Sequence, residues 1–282
     1  MIENRPLLAV LTHAVLILGV AAVCFPVWMA LVGSTHPGER LSQDPLPLWF
    51  GGQGLETYSA LLTKGLSDAG GVSVGRMLLN SLIMAVGITL GKIAVSLIAA
   101  YAIVFFRFTG RMVCFWLIFI TLMLPVEVRI LPTFDVAARL DLLNSYQGLI
   151  LPLIASATAT FLFRQIFLTI PDELVEAAKM DGAGPMRFFF DILLPVSRTN
   201  IAALTIILFI YGWNQYLWPL LMTTDAQYTT VVIGIQRMIN SGEARPVWDQ
   251  IMGMAVLAML PPVVIVLSMQ KLFVKGLIEQ EK

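Results

Sequence analysis

The chain is short of charge. Only 13% of its 282 residues are charged, with 18 Lys and Arg balancing 18 Asp and Glu, against about 25% in an ordinary soluble domain. A net charge of zero with no basic cluster removes the electrostatic footprint of a nucleic-acid binder. Cysteine and histidine are almost absent as well. Cys24 and Cys114 lie inside apolar runs, which excludes a disulfide framework, and His13 and His36 stand apart from any partner, so no metal site is expected. No Gly-rich loop ends in Gly-Lys-Ser or Gly-Lys-Thr, so any ATP must be bound by another chain and no cofactor is expected on this one. A membrane-embedded transferase would need clustered Asp or His within its apolar segments, and the acidic residues here lie in loops. No enzyme is expected.

What is present is hydrophobic. Apolar residues make up 58% of the chain and the mean hydropathy is +0.83. A helical crossing of a bilayer needs about 20 mostly apolar residues. Six stretches meet or approach that: roughly 11–33, 78–106, 112–131, 148–168, 201–222 and 251–273. The expected fold is all-α, a polytopic membrane protein with six transmembrane helices. The third stretch is the weakest, because Pro125, Glu127, Arg129 and Pro132 interrupt its far end. Arg5 ahead of the first run resembles the start of a signal peptide, but the run is long for one and Gly33-Ser34-Thr35 is a poor cleavage site. It reads as a retained span.

Six spans place both termini on one side. With the N-terminus inside, ten Lys and Arg fall in inner segments and seven in outer ones, with Lys92 left inside a span. The outer segments are longer, so basic density favours cytoplasmic N- and C-termini. The chain divides into residues 1–75, the first span with a long periplasmic loop rich in Gly and Pro; 76–273, a five-span core; and 274–282, a cytoplasmic tail.

The largest inner loop, 171–195, reads as two short helices. Pro171 suits a helix start, Asp172 and Glu173 complement the positive end of the helix dipole, and Gly182 suits a stop because it accepts positive φ. Pro185 can open the second helix and Pro195 closes it. The pair Ala177-Ala178 would leave a thin face for close approach by another protein.

Glu176-Ala177-Ala178, Gly182 four residues on, and Ile192-Leu193-Leu194-Pro195 after nine more resemble the EAA loop of binding-protein-dependent ABC importers at every position. The resemblance extends to Phe25-Pro26, Ser34, Asn80-Ser81 and the run Trp213 to Pro219, which are similar to the second permease of carbohydrate importers, relatives of the maltose system. Within that family the runs 1–6, 118–129, 155–165 and 211–219 resemble permeases of sn-glycerol-3-phosphate importers. The resemblance implies a type I ABC permease in the bacterial inner membrane, coupled through Glu176, Ala177, Ala178, Asp181 and Gly182 to a cytoplasmic ATPase. It also implies a second, different permease, an ATPase homodimer and a periplasmic solute-binding protein as partners, with glycerophosphate or a glycerophosphodiester as cargo. A sugar or oligosaccharide is the alternative cargo.

A translocation path should show as polar residues at helical spacing on apolar spans. Three such stripes are present: Ser81, Thr89, Lys92 and Ser96; Ser156, Thr160 and Arg164; and Tyr211, Asn214 and Trp218 with Gln215 beside them. Ser81, Thr89 and Ser156 read as packing residues, and Arg164 reads equally as a basic anchor at the membrane edge. Lys92 lies about 18–22 Å along a helix from either interface, which is far for snorkelling. Two readings stay open for it: a face of the cargo path, or a structural partner of an acid such as Glu127. Arg129 reads either as a partner of Glu127 or as part of an outer gate.

Overall fold

A computed structural model describes residues 6–43, 45–66, 70–240 and 247–279. Among them there is no strand beyond an isolated bridge between Leu66 and Val72. The α-helices run in order as α1 (Pro6–Gly33), α2 (Gly38–Leu41), α3 (Gly54–Thr63), α4 (Val74–Phe105), α5 (Arg111–Ile120), α6 (Val126–Arg139), α7 (Tyr146–Ile150), α8 (Ala157–Leu168), α9 (Asp172–Met180), α10 (Pro185–Arg187), α11 (Leu194–Val196), α12 (Arg198–Trp213), α13 (Leu217–Met222), α14 (Val231–Ile239) and α15 (Trp248–Glu279).

Three segments are long and apolar enough to cross a bilayer unaided: Val10–Gly33, Val74–Phe105 and Trp248–Gln270. They coincide with the first, second and sixth expected spans. The fourth and fifth are bent rather than straight. Tyr146–Leu153 meets Ala157–Leu168 at 48°, and Pro185–Val196 meets Arg198–Trp213 at 75°.

Proline accounts for the interruptions. The expected third span, 112–131, is a ten-residue α5, a 3-10 turn over Thr121–Met123, and a new helix α6 after Pro125. Leu124, preceding Pro125, is forced into an extended conformation (φ −84°, ψ 116°). The expected span 201–222 stops at Trp213 and resumes at Leu217. An unbroken helix would set the Pro219 ring against the Gln215 carbonyl, and the chain opens there instead. Ahead of Pro195, residues Phe188–Leu193 form a wider π turn, where the helix tolerates a ring that cannot donate to Asp191.

The chain forms two compact units. The first takes residues 1–77 and 234–260, so part of the expected core groups with the N-terminal segment. Nearly all side chains of α1 are exposed until its last turns, where Val32, Gly33 and Ser34 are buried. The Ser34 hydroxyl lies 2.8 Å from the Tyr58 hydroxyl. A Cβ on Gly33 would collide with the Met252 sulfur, so glycine is what lets α15 close on α1 here.

The second unit takes 78–233 and 261–282. Within it α4 supplies a face of small residues. Gly87 and Gly91 leave room for Ile150 and Ile154, and Gly212 of α12 passes Ala85 so closely that a Cβ there would lie 3.0 Å from the Ala85 Cα. Small residues drive helix approach in membranes because backbones can then touch. Two buried clusters result. One joins Tyr101, Phe163, Phe167, Ala178, Phe188 and Leu193; the other joins Met84, Ile88, Leu149, Trp218 and Met222.

Candidate functional site

Breaks in two apolar segments open a cavity of about 470 Å³ in the second unit. Pro152, Leu153 and Ala155 line it from the bend between α7 and α8, and Tyr211 with residues 214–218 lines it from the break between α12 and α13. Lys92 of α4 and Arg129, Ile130 and Thr133 of α6 complete the wall. Among the described residues no carboxylate lines it. The helix α8 starts two residues beyond Ala155, capped by the Ser156 hydroxyl, which accepts from the Ala159 amide at 3.2 Å. The positive end of its dipole therefore lies by the cavity wall.

Lys92 is 6% exposed. Its ammonium lies 3.6 Å from the Tyr211 ring centroid, a cation–π contact that partly offsets desolvation. The Gln215 amide donates to the Tyr211 carbonyl at 3.1 Å, capping the end of α12. The buried Trp218 indole donates to the Gly148 carbonyl at 3.1 Å. Thus all five expected path residues, Lys92, Tyr211, Asn214, Gln215 and Trp218, reach one cavity. They do so around a helix break, not along a stripe. Arg129, read as a partner of Glu127 or as part of an outer gate, also lines the cavity, and the polar members missed are Thr133 and Tyr216; the spacing Arg129, Thr133 after Pro125 was the signal for a new helix face. The Glu127 side chain lies outside the described residues.

The other polar positions make their contacts within the fold. Asn80 donates to the Gln227 and Thr229 carbonyls at 2.8 and 2.9 Å and accepts from the Tyr146 hydroxyl at 2.8 Å. Ser81 accepts from the Val231 amide at 2.9 Å. Thr89 donates to the Ala85 carbonyl one turn back. The Arg164 guanidinium lies 4.2 Å from the Phe115 ring centroid.

At another place in the unit, α9 carries the expected coupling residues. Pro171 is its extended N-cap rather than its first residue, Asp172 and Glu173 sit in the first turn and Lys179 in the last. Gly182 has φ +72°. Its amide donates to the Lys179 carbonyl at 3.1 Å and the Ala183 amide to the Ala178 carbonyl at 2.9 Å, the paired bonds of a Schellman stop. Glu176, Ala177, Asp181 and Gly182 are exposed, whereas Ala178 is buried. The expected two-alanine docking face is thereby halved: Ala178 packs inward on the aromatic cluster. Behind the helix the Tyr101 hydroxyl donates to the Pro185 carbonyl at 2.8 Å.

The model of the inner-membrane component of binding-protein-dependent transport systems matches residues 92–279, more than half of the chain. The chain belongs to this family. It is a multi-pass inner-membrane permease, a transport component and not an enzyme. The permease is 54% identical over 282 residues to the sn-glycerol-3-phosphate transport system permease protein UgpE of Agrobacterium fabrum, covering the whole of both chains. It is 56% identical over 282 residues to the protein of the same name from Salmonella typhi, again over the whole of both. A solved bacterial ABC transporter involved in the import of the acidic polysaccharide alginate matches with a TM-score of 0.82. That match covers 96% of this permease and 98% of the other chain at 18% identity, and speaks for the fold alone.

Proposed function

We propose that this permease forms half of the path through which an ABC importer carries sn-glycerol-3-phosphate, or a glycerophosphodiester, into the cell. The observation that carries the reading is the cavity at the two helix breaks, with Lys92 and Arg129 on its wall and no described carboxylate. A positive, water-accessible cavity within apolar helices lowers the barrier for an anion. The full-length likeness to permeases named for sn-glycerol-3-phosphate supports the same cargo. The remaining half of the path belongs to a second, different permease. Two copies of a cytoplasmic ATPase bind the nucleotide, and a periplasmic binding protein delivers the solute. Both termini of this chain face the cytoplasm, as does α9, which docks on the ATPase through Glu176, Ala177 and Asp181. ATP closes the ATPase pair, α9 moves with it, and the spans reopen outward.

A sugar or oligosaccharide cargo has one observation in its favour, the aromatic rings of Tyr211 and Tyr216 on the cavity wall. Uptake decides between them. In a strain lacking only this subunit, restoring it should restore uptake of sn-glycerol-3-phosphate and leave maltose uptake unchanged. Recovery of maltose uptake alone would overturn the anionic cargo.

A further inference from the structure

Two basic side chains elsewhere in this unit find acids one helical turn away: Arg139 reaches Asp135 at 3.0 Å and Arg187 reaches Asp191 at 3.5 Å. Lys92 and Arg129 differ. Neither makes an ion pair or a side-chain hydrogen bond among the described residues, yet both line the same cavity. Arg129 is exposed and Lys92 is buried with its ammonium on the Tyr211 ring. Two like charges around one low-dielectric cavity repel each other, and an aromatic face replaces only part of the hydration a buried ammonium loses. An anion entering the cavity relieves both costs, most fully when its charge matches the two cations.

We propose that Lys92 and Arg129 act as a charge-matched pair that grips the phosphate of a phosphomonoester, and so set the preference of this permease for a dianion over a monoanion. The proposal rests on the anionic cargo above and deepens it. A phosphomonoester carries about −1.5 to −2 charge at pH 7 because its second pKa is near 6, whereas a phosphodiester has one ionised oxygen and a single charge. Arg129 offers a planar fork suited to two phosphate oxygens, and Lys92 a compact point charge deeper in the cavity. Removing either cation leaves a site of single charge, which still suits the diester.

The test uses the complete importer in cells, with the binding protein, partner permease and ATPase unaltered. Uptake of sn-glycerol-3-phosphate and of glycerophosphoglycerol is measured at subsaturating concentration for Arg129→Gln and Lys92→Gln, with membrane abundance checked by immunoblot. Each substitution should lower monoester uptake by roughly tenfold or more, as expected for losing a charged hydrogen bond, and lower diester uptake several-fold less. The deficit relative to wild type should shrink at pH 5, where the monoester has become a monoanion. Arg129→Lys and Lys92→Arg should keep a large part of the uptake, and they decide the matter if a neutral variant is lost from the membrane. Equal losses for both solutes, or monoester uptake within twofold of wild type, would overturn the pairing. A wild-type complex that takes up no sn-glycerol-3-phosphate would overturn the cargo reading and the pairing with it.

Discussion

Gly182 shows how one residue's backbone freedom shapes the helix end proposed to dock on the ATPase. At φ +72° a side chain is strained, but a Cβ would meet nothing within 4 Å, so the penalty is conformational alone, about 1–2 kcal/mol. A β-branched residue adds to it, whereas Asn tolerates the left-handed region. Gly182→Val should therefore abolish uptake while the permease still inserts, and Gly182→Asn should retain much of it. Glu176→Lys lies on exposed surface, has no folding cost of note, and should instead reduce copurification of the ATPase. Full uptake with undiminished copurification in both Gly182→Val and Glu176→Lys would remove α9 from the coupling. Gly182 was legible because glycine meets the left-handed stop without strain. The inward turn of Ala178 was not, since a run of two alanines does not say which of them faces a core.

At the scale of elements, the loop carrying α9 and α10 is tied to α4 by one hydroxyl and several rings. Tyr101 lies 5.0 Å from Phe189 and 6.4 Å from Phe188, centroid to centroid. Phe105 lies 5.3 Å from Phe188 and 6.0 Å from Phe167. Tyr101→Phe keeps the rings and loses the bond to the Pro185 carbonyl, about 0.5–1.5 kcal/mol. Tyr101→Ala also opens the cluster, about 3–5 kcal/mol. Thermal unfolding of the purified complex should rank wild type, Tyr101→Phe and Tyr101→Ala in falling order; equal midpoints for all three would deny the cluster a role. Helix bends were written in Pro125, Pro195 and Pro219, but hydropathy averaged over some twenty residues smooths across a single proline. That is why span 201–222 read as continuous, and why the cavity walled in part by its break read as a stripe.

At the scale of the whole molecule, the family was legible from one loop, because Glu176, Ala177, Gly182 and Pro195 are held at fixed spacing by a helix, a stop and a second helix. The cavity was legible only in its members. Arg129 and Lys92 lie 37 positions apart in sequence order, and nothing in either segment alone says that they share a wall. The orientation rests on the density of basic residues in the inner segments. Green fluorescent protein joined after Lys282 should fluoresce and alkaline phosphatase joined there should be inactive; the reverse would place the C-terminus in the periplasm.

The shortness of α5 bears on how the chain is made. Ten residues span about 15 Å of helix, half of a hydrocarbon core of about 30 Å, and the stretch beyond Pro125 carries Arg129, Asp135 and Arg139. The ribosome delivers this segment before α8, whose Phe161 ring packs 5.4 Å from Phe119 and whose Arg164 covers Phe115. A segment too short to cross by itself gains its place in the bilayer from the partner it packs against. Residues 111–168 therefore act as a hairpin whose first arm depends on its second, since α5 by itself is too short to cross.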